Sequence, residues 1–244
     1  MASGRAQSQE ADQGSVSGLD ITRPLRRIEL RTEVADEEDG RTATFTLRHD
    51  RPQVIATDWR LNLRVEIPLV IDKSRAEGSR AGLGDVRMQA VVVHDGGTGK
   101  AWGVGLQVRA PTGDTPLGRG QWQILPMAGY RWSLDELPEG SFLQFVARYR
   151  ASFGGGRDRT NVSELQLSPN LEIGLPHDMY LSIFPSNDIR YDFRRDGLFV
   201  PVDVEVGKEW GRTILSVEAA TKVISTHDVA PYDWKIEVRL GYRF

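Results

Sequence analysis

Charged side chains recur at alternate positions along this sequence and could together line a polar lumen. Walls of such side chains select solutes by charge and narrow a passage by their length. The basic members concentrate around residues 60–150, and the acidic members largely on residues 164–218. The candidate lining residues are Arg60, Arg64, Glu66, Arg109, Arg131, Arg148, Arg150, Glu172, Asp203, Glu205, Glu218, Lys222, Lys235, Glu237 and Arg239. Two interpretations stay open: a transverse field across an open lumen, or a network of ion pairs that plugs it.

The other reactive residues do not indicate a nucleophilic catalytic site, a metal site or a phosphate-binding loop. The histidines, His49, His94, His177 and His227, all lie on predicted turns, without a serine at a facing strand position or a histidine pair for a metal. The absence of cysteine excludes thiolate ligands and thiol nucleophiles. The glycine-rich residues 96–100 lack the spacing and the following helix of a phosphate-binding loop. We therefore expect no cofactor, no metal and no enzyme, with a Ser–His lipid hydrolase as an alternative.

The elements that must position the charges are strands with a strict two-residue period. At the end of the chain, apolar residues from Trp234 to Phe244 alternate with Lys235, Glu237 and Arg239, which is typical of a strand with one apolar and one polar face. The same alternation predicts about twelve strands, over residues 27–34, 42–48, 59–69, 85–92, 102–109, 122–132, 143–153, 164–175, 181–192, 198–209, 215–223 and 234–244. No segment has a helical period. Most of these strands reach the ~9–11 residues that cross a bilayer at a tilt.

The composition is compatible with a membrane barrel, although the overall hydropathy resembles that of a soluble protein. Hydrophobic residues make up 39% and charged residues 27% of the 244 residues. No run approaches the ~20 apolar residues of a membrane helix. A transmembrane strand contains no such apolar run, because only alternate residues of the strand face lipid. The net charge of -3, with scattered basic residues, does not indicate nucleic-acid binding.

The aromatic residues favour an apolar face that points outward, to lipid. Alternation by itself would equally allow a soluble barrel with an apolar interior. We place both termini on the periplasmic side. Trp59, Trp102, Trp132, Trp210 and Tyr242 then fall near periplasmic strand ends, and Trp122, Phe153, Tyr191, Phe193 and Trp234 fall near outer ends. Two such girdles are expected at the two interfaces of a bilayer. The longer hydrophilic connections 72–82, 112–120 and 225–231 lie outside in this topology.

Some positions on the lumen side of the predicted strands are apolar. They are Leu125, Met127, Val146, Phe184, Phe199 and Ile214. They could form a track for an aromatic solute, or they could pack against an inserted loop or the N-terminal segment. We favour the packing interpretation. The acidic residues Asp36–Asp39 are expected to form a solvated outer loop rather than a cation bridge to lipopolysaccharide.

Several short motifs resemble those of a known family. The terminal Tyr242-Arg243-Phe244 resembles the C-terminal signal that the outer-membrane assembly machinery recognises, with Tyr242 and Phe244 as its aromatic residues. The strand of residues 59–70, the element of residues 82–85 and the strand end of residues 109–113 resemble the "meta-pathway of phenol degradation" family. The similarity spans roughly residues 25–244. It implies a porin-like outer-membrane channel for the passive uptake of small solutes, among them aromatic or hydrophobic compounds.

These observations lead to one set of expectations. Residues 1–24 form a disordered or weakly ordered N-terminal segment, with entry into the lumen as the alternative, and residues 25–244 form a single closed antiparallel transmembrane β-barrel. The protein is expected in the bacterial outer membrane as a mature form, because residues 1–24 hold no apolar signal core. Its expected partners are outer-membrane lipids, lipopolysaccharide, the assembly machinery and a small solute. A structural or adhesive barrel with a plugged lumen is the alternative function.

Overall fold

The computed structural model describes residues 17–74, 78–115, 117–155 and 160–244. Every regular element in these ranges is a β-strand. The strands are β1 (Arg27–Glu37), β2 (Gly40–Ala56), β3 (Trp59–Ser74), β4 (Gly78–Leu83), β5 (Arg87–Asp95), β6 (Lys100–Arg109), β7 (Gln121–Ser133), β8 (Phe142–Gly155), β9 (Ser163–Leu175), β10 (Met179–Ile183), β11 (Ile189–Asp192), β12 (Gly197–Trp210), β13 (Thr213–Ser225) and β14 (Trp234–Arg243). Within the described ranges, no helix is long and apolar enough to cross a membrane.

The strands close into one barrel because the first strand pairs with the last. β1 lies antiparallel to β14, with Leu30 opposite Leu240, and β1 also pairs with β2. β4 and β5 pair with successive parts of β3 and occupy one position in the barrel wall. We call each such position a stave, so β4 and β5 form one interrupted stave. β10 and β11 form a second interrupted stave between β9 and β12. Counted as staves, the barrel has twelve antiparallel members, so the predicted closed barrel is confirmed.

The interrupted stave between β9 and β12 differs from the prediction of one continuous strand over residues 181–192. Phe184 has a positive φ of 57°, and its backbone N–H donates to the Asp203 carbonyl oxygen at 2.9 Å. A non-glycine residue in this region turns the chain out of the extended conformation. Residues 185–188 therefore leave the barrel wall, and all four line the cavity inside the barrel.

The barrel has its apolar face outside and its polar face inside. On β2, Leu47 is 50% exposed whereas the adjacent Arg48 is 3% exposed. On β14, Leu240 is 49% exposed whereas Arg239 is 6% exposed. Leaving a leucine-sized side chain in water costs about 1.5–3 kcal/mol relative to burying it, so a belt of such residues needs lipid around it. The outward direction of the apolar face makes this a transmembrane barrel.

Aromatic rings gather at the two ends of the barrel wall. At the end where β1 begins and β14 ends, Trp59 contacts Trp102 with ring centroids 5.4 Å apart. At the opposite end, Trp122 lies 6.3 Å from Phe153. These positions correspond to the two girdles expected from the sequence. We call the first end the terminal end, which is periplasmic in the predicted orientation, and the second the outer end.

Loop lengths follow the expected alternation only in part. The region 72–82 is largely strand, because β3 extends to Ser74 and β4 begins at Gly78, with residues 75–77 outside the described ranges. Residues 110–120 and 226–233 do connect strands at the outer end. The connection 134–141 lies at the terminal end and is as long as some outer loops. The prediction of a long outer loop at residues 72–82 is therefore wrong, because cross-strand pairing continues past the point where the apolar alternation stops.

Candidate channel lumen

The described part of the N-terminal segment lies inside the barrel. The Ile21 backbone N–H donates to Gln144 Oε1 at 2.9 Å, and Gln144 Nε2 donates to the Leu19 carbonyl oxygen at 3.4 Å. Thr22 is fully buried. The structure thus differs from the predicted boundary at residue 25, since residues 17–24 belong to the folded lumen. Residues 1–16 of the predicted disordered segment lie outside the described ranges.

A buried ion pair anchors this segment, which we call the plug (residues 17–24). Asp20 Oδ2 lies 2.5 Å from Arg131 Nε, and both side chains are buried. The other oxygen, Asp20 Oδ1, accepts from the Thr22 backbone N–H at 2.8 Å and from its hydroxyl at 2.6 Å. Gly129 makes room for the plug, because a Cβ there would lie 2.5 Å from Ile21 Cδ1. Arg131, predicted as a lining residue, therefore holds the plug in place.

A second inserted segment lies nearer the outer end, where the loop between β13 and β14 folds inward. The Tyr232 ring packs edge-on against Phe199 with centroids 5.2 Å apart, and its hydroxyl donates to Asp188 Oδ2 at 2.9 Å. Ala35 and Ala220 complete this buried cluster. The hydroxyl satisfies a buried carboxylate, so the loop is fixed by both apolar and polar contacts.

The apolar positions on the lumen side belong to separate packed groups. Met127 packs with Val91 and Val93, and Phe199 packs under Tyr232. Leu125 and Val146 line the cavity beside Ile21 of the plug. Ile214 is buried, and Phe184 lies at the break in the wall. Phe199 thus packs against an inserted loop, and Leu125 and Val146 lie beside the plug, whereas Met127 packs against other residues of the barrel wall.

A polar cavity of about 340 Å³ remains between the plug and the outer segments. One water molecule needs only ~10–15 Å³ of such space, so the cavity is large enough to be water-filled. Of the described residues that line it, eleven are Arg or Lys and four are Asp or Glu. Arg119, an exposed residue of the loop after β6, is one of them, so the lining includes a residue of the outer surface.

The predicted lining residues fall into three groups. Those at the cavity are Arg64, Glu66, Arg109, Arg148, Arg150, Lys235, Glu237 and Arg239. Those buried inside the barrel wall but not at the cavity are Arg131, Glu172, Asp203, Glu205 and Glu218. Arg60 is partly buried at the start of β3, and Lys222 is exposed at the outer rim, paired with Asp233. These last two lie away from the cavity.

Sequence reasoning missed several charged residues that line the cavity. They are Arg31, Glu33, Arg48, Arg87, Arg119, Asp188 and Arg190. Most of them share the polar face of a predicted strand, so the two-residue period contained the signal for them. Arg119 lies on a loop, where no period applies. Its place depends on how the loop folds.

On the acidic side of the lumen, carboxylates and cations form a dense buried network. Arg239 pairs with Glu205 at 2.5 Å and also with Glu218 and Glu237. Lys235 lies 3.0 Å from Glu218 and 2.6 Å from Asp188. Buried carboxylates need such partners, because each unpaired charge costs several kcal/mol of desolvation. On this side of the lumen, oppositely charged side chains neutralise each other and occupy the space next to the wall.

On the basic side, ion pairs hold several arginines to the wall. Arg64 Nε lies 2.7 Å from Asp50, which also pairs with Arg48 at 2.6 Å. Arg87 pairs with Glu66 at 3.0 Å. Arg150 likewise pairs with Glu164, at 2.6 Å. A network of ion pairs thus occupies one side of the lumen, and a cavity with a mainly cationic lining remains beside it.

The motifs of residues 82–85 and 109–113 form one clamp at the outer end. Asp85 accepts from the Gly113 backbone N–H at 3.1 Å and from the Arg119 backbone N–H at 2.7 Å. The Thr112 hydroxyl accepts from the Val86 backbone N–H at 2.9 Å. A Cβ at Gly113 would lie 2.7 Å from the Gly118 Cα, so the loop backbone packs closely. The clamp positions Arg109 and Arg119 at the outer mouth of the cavity.

The histidines lie apart from one another. His49 belongs to β2 and His94 to β5, so the prediction that all four lie on turns is wrong for these two. The reason is that cross-strand pairing extends both strands beyond their apolar alternation. His94 packs between Trp59 and Trp102 at the terminal end, with centroid distances of 4.8 and 5.6 Å. Within the described ranges, no group of three His, Asp or Glu side chains is placed to hold a metal ion.

The last residue lies on the outside of the barrel at the terminal end. The Phe244 ring is stacked with the His49 ring at 6.0 Å, and the Arg26 guanidinium lies 4.9 Å from its centroid. Tyr242, two residues earlier, also faces outward and is exposed. Both aromatic side chains are accessible from the surface of the barrel.

A closed twelve-stave barrel with a lipid-facing apolar belt and a polar lumen defines a porin-like outer-membrane β-barrel. The chain belongs to the family described as "Putative MetA-pathway of phenol degradation", whose model matches residues 39–174. The family resemblance inferred from the sequence is therefore confirmed.

Solved structures show the same fold. The COG4313 outer membrane channel from Pseudomonas putida F1 matches with a TM-score of 0.74 at 13% identity, over 91% of this chain and 96% of that one. The KdgM porin in complex with disordered oligogalacturonate matches with a TM-score of 0.54 at 14% identity, over 89% and 99%. The beta domain of the Bordetella autotransporter BrkA matches with a TM-score of 0.51 at 11% identity, over 89% and 99%. No curated protein matches this chain.

Proposed function

We propose that this protein is an outer-membrane channel for the passive passage of small polar solutes. The observation that carries the proposal is the polar cavity of about 340 Å³ inside the barrel, which is lined mainly by charged and amide side chains and includes the exposed Arg119 in its lining. A barrel whose interior is filled by side chains would leave no such space. Passage by diffusion needs no cofactor and no catalytic group, in agreement with a non-enzymatic role.

The lining favours polar over purely hydrophobic solutes. Apolar lumen residues such as Met127 and Phe199 are buried in packed clusters, where they contact protein rather than the cavity. An uncharged aromatic solute would therefore meet mainly guanidinium, carboxylate and amide groups, which lose hydration when it passes. Aromatic compounds that carry a polar or charged group remain compatible with this lumen.

The plug gives the alternative function its specific support. Residues 17–24 lie in the lumen at the terminal end, and the buried Asp20–Arg131 pair holds them there. A permanently closed barrel would be a structural or adhesive protein. Conduction therefore requires that the plug move or leave a side passage, and the rate of that motion would set the fraction of time the channel is open.

Conductance across a planar bilayer distinguishes the two functions. The purified full chain, refolded in detergent and inserted into a solvent-free bilayer, should give small, discrete steps in 1 M KCl. A variant that lacks residues 17–24 should give larger and longer steps, because it lacks the plug. If the intact chain and the plug-less variant both insert, as judged by heat-modifiable migration, and both stay silent, the channel function is refuted in favour of the structural barrel.

We further propose that the assembly machinery recognises the exposed terminal aromatics, and that the folded barrel contacts membrane lipids and lipopolysaccharide. Phe244 and Tyr242 are available on the outer surface of β14 and just beyond it. Deleting Phe244 should lower the amount of heat-modifiable barrel in the outer-membrane fraction at equal synthesis. Refolding of the same variant in detergent should be normal, since the residue acts on delivery rather than on stability. Equal membrane levels with and without Phe244 would refute the signal.

A further inference from the structure

We propose that Arg109 and Arg148 form an anion-binding wall inside the lumen, with Arg119 at its outer mouth, and that its ligand is a small oxyanion, a carboxylate or a phosphate. The inference rests on the proposed channel function and names the class of solute that the channel favours. Arg109 projects from β6 and Arg148 from β8, and both line the cavity.

These two guanidinium groups differ from their neighbours because they lack carboxylate partners. Arg64, Arg87 and Arg150 each lie within 3.0 Å of a carboxylate oxygen. Arg109 and Arg148 have no carboxylate within ion-pair distance in the described ranges, and the Nε atom of each is buried without an acceptor. A buried donor without an acceptor is costly, so an anion in the cavity would satisfy groups that the protein leaves unsatisfied.

The surroundings of both arginines are predominantly cationic. Arg109 lies directly opposite Arg87 in the register of β5 and β6, and Arg150 and Arg119 line the same cavity. The nearby Asp85 carboxylate is already engaged by backbone N–H groups of the outer loop. Arg64, Arg87 and Arg48 line the cavity together with Arg148, and the Glu66 carboxylate near Arg148 is already paired with Arg87. Like charges held this close repel one another, and a bound anion relieves that repulsion.

The chemistry of arginine narrows the class of ligand. A guanidinium group presents a planar fork of N–H donors that matches a carboxylate or a phosphate in a bidentate geometry. A spherical halide gains the charge attraction but not the paired hydrogen bonds. The wall should therefore bind oxyanions more tightly than chloride of the same charge.

The position of the anion-binding wall in the barrel also indicates how a solute is oriented in the lumen. Counted in staves, β8 lies six positions from β1 in either direction, so Arg148 and Glu33 project from opposite sides of the barrel. Glu33 lines the same cavity. Arg31, Lys235 and Arg239 line the cavity on the same side as Glu33, so that side carries charges of both signs. The anionic end of a solute is therefore drawn to the wall of Arg109 and Arg148, where carboxylate partners are lacking.

Ion selectivity tests the wall directly. In a planar bilayer under a tenfold KCl gradient, the intact chain should prefer anions. The double variant Arg109→Gln and Arg148→Gln should lower the anion-to-cation permeability ratio by about tenfold, which corresponds to about 1.4 kcal/mol. The matched control is Arg51→Gln, which removes an exposed arginine on the outer face of β2 and should leave the ratio unchanged. Arg148→Lys, which keeps the charge, should retain the preference for anions.

Block of the chloride current by small solutes shows whether the wall recognises the charge of a solute or its size. Acetate and phosphate should reduce the chloride current of the intact chain, whereas uncharged acetamide, which is close to acetate in size, should not. The double variant should lose the block by both anions. A block by phosphate but not by acetate assigns the wall to phosphates, and the reverse assigns it to carboxylates.

The outcomes distinguish this inference from the proposed function. A chain that conducts with equal selectivity before and after the double substitution remains a channel, but it has no anion-binding wall. A chain that never conducts removes the channel function. In that case a thermal shift in detergent still tests the wall: acetate or phosphate should raise the unfolding temperature of the intact chain and not that of the double variant. An equal rise in both would overturn the inference.

Discussion

Release of the plug by Asp20→Ala would show how the N-terminal segment controls the lumen. The substitution leaves Arg131 buried without its carboxylate and removes two hydrogen bonds from Thr22. Removing one partner of a buried ion pair costs about 3–5 kcal/mol. Since the plug, and not the barrel wall, contains Asp20, this cost weakens the docked state of the plug. The ratio of released to docked plug should rise by roughly a hundredfold to a thousandfold or more.

The remaining contacts of the plug decide whether it leaves completely. Ile21 still donates to Gln144, and Arg27 Nη2 still donates to the Gly18 carbonyl oxygen at 3.0 Å. We therefore expect a plug that opens often rather than one that is permanently displaced. In single-channel records, the Asp20→Ala chain should spend a larger fraction of time in its high-conductance level. Hydrogen exchange at the Ile21 backbone amide should speed up in parallel.

A matched control and a double variant test whether the Asp20–Arg131 ion pair holds the plug. Asp36→Ala removes the solvent-accessible pair with Arg41 at the outer end, where a loss of no more than ~1 kcal/mol is expected. It should leave the records unchanged. Adding Arg131→Gln to Asp20→Ala removes the uncompensated charge and should restore part of the closure. Unchanged open time and unchanged exchange at Ile21 in Asp20→Ala would show that the ion pair does not hold the plug.

Two further predictions concern the barrel and its outer clamp. Arg239→Leu leaves several buried carboxylates without their shared guanidinium, so the barrel should unfold with a loss of about 3–5 kcal/mol, seen as a lower temperature for the heat-induced gel shift. The control Arg51→Leu removes an exposed arginine and should change stability by less than about 0.5 kcal/mol; an equal effect would contradict the network. Gly113→Val places a side chain against loop backbone and should speed hydrogen exchange at the Arg119 amide, whereas Gly154→Val, with no heavy atom within 4 Å of its Cβ, should not.

The side to which each strand face points and the number of staves in the barrel could be predicted from the sequence. Alternation from Trp234 to Phe244 is a local property, because successive side chains of any strand point to opposite sides. The aromatic residues at strand ends then indicated which side faces lipid. The same period predicts residues such as Arg64, Arg148 and Glu237 inside the barrel, where the structure places them.

Two local features could not be predicted from the alternation of side chains: the break in one stave and the burial of the plug. Residues 181–192 alternate as one strand, yet the wall breaks at Phe184. Alternation describes which side a residue favours, but it does not show whether the neighbouring strands offer continuous hydrogen bonds. Residues 17–24 have no period at all, so their burial depends on partners such as Gln144 and Arg131, more than one hundred residues away in the chain.

Alternation along the chain predicts that charged side chains line a lumen, but the folded barrel is needed to show which of those charges are neutralised. Arg150 and Arg148 are two residues apart on one face of β8, and yet one pairs with Glu164 while the other has no carboxylate at ion-pair distance in the described ranges. The difference arises from the register of β8 with β9, which places Arg150 opposite Glu164 and Arg148 opposite Gln166. Register is set by long-range pairing and closure of the whole ring, which no local pattern contains.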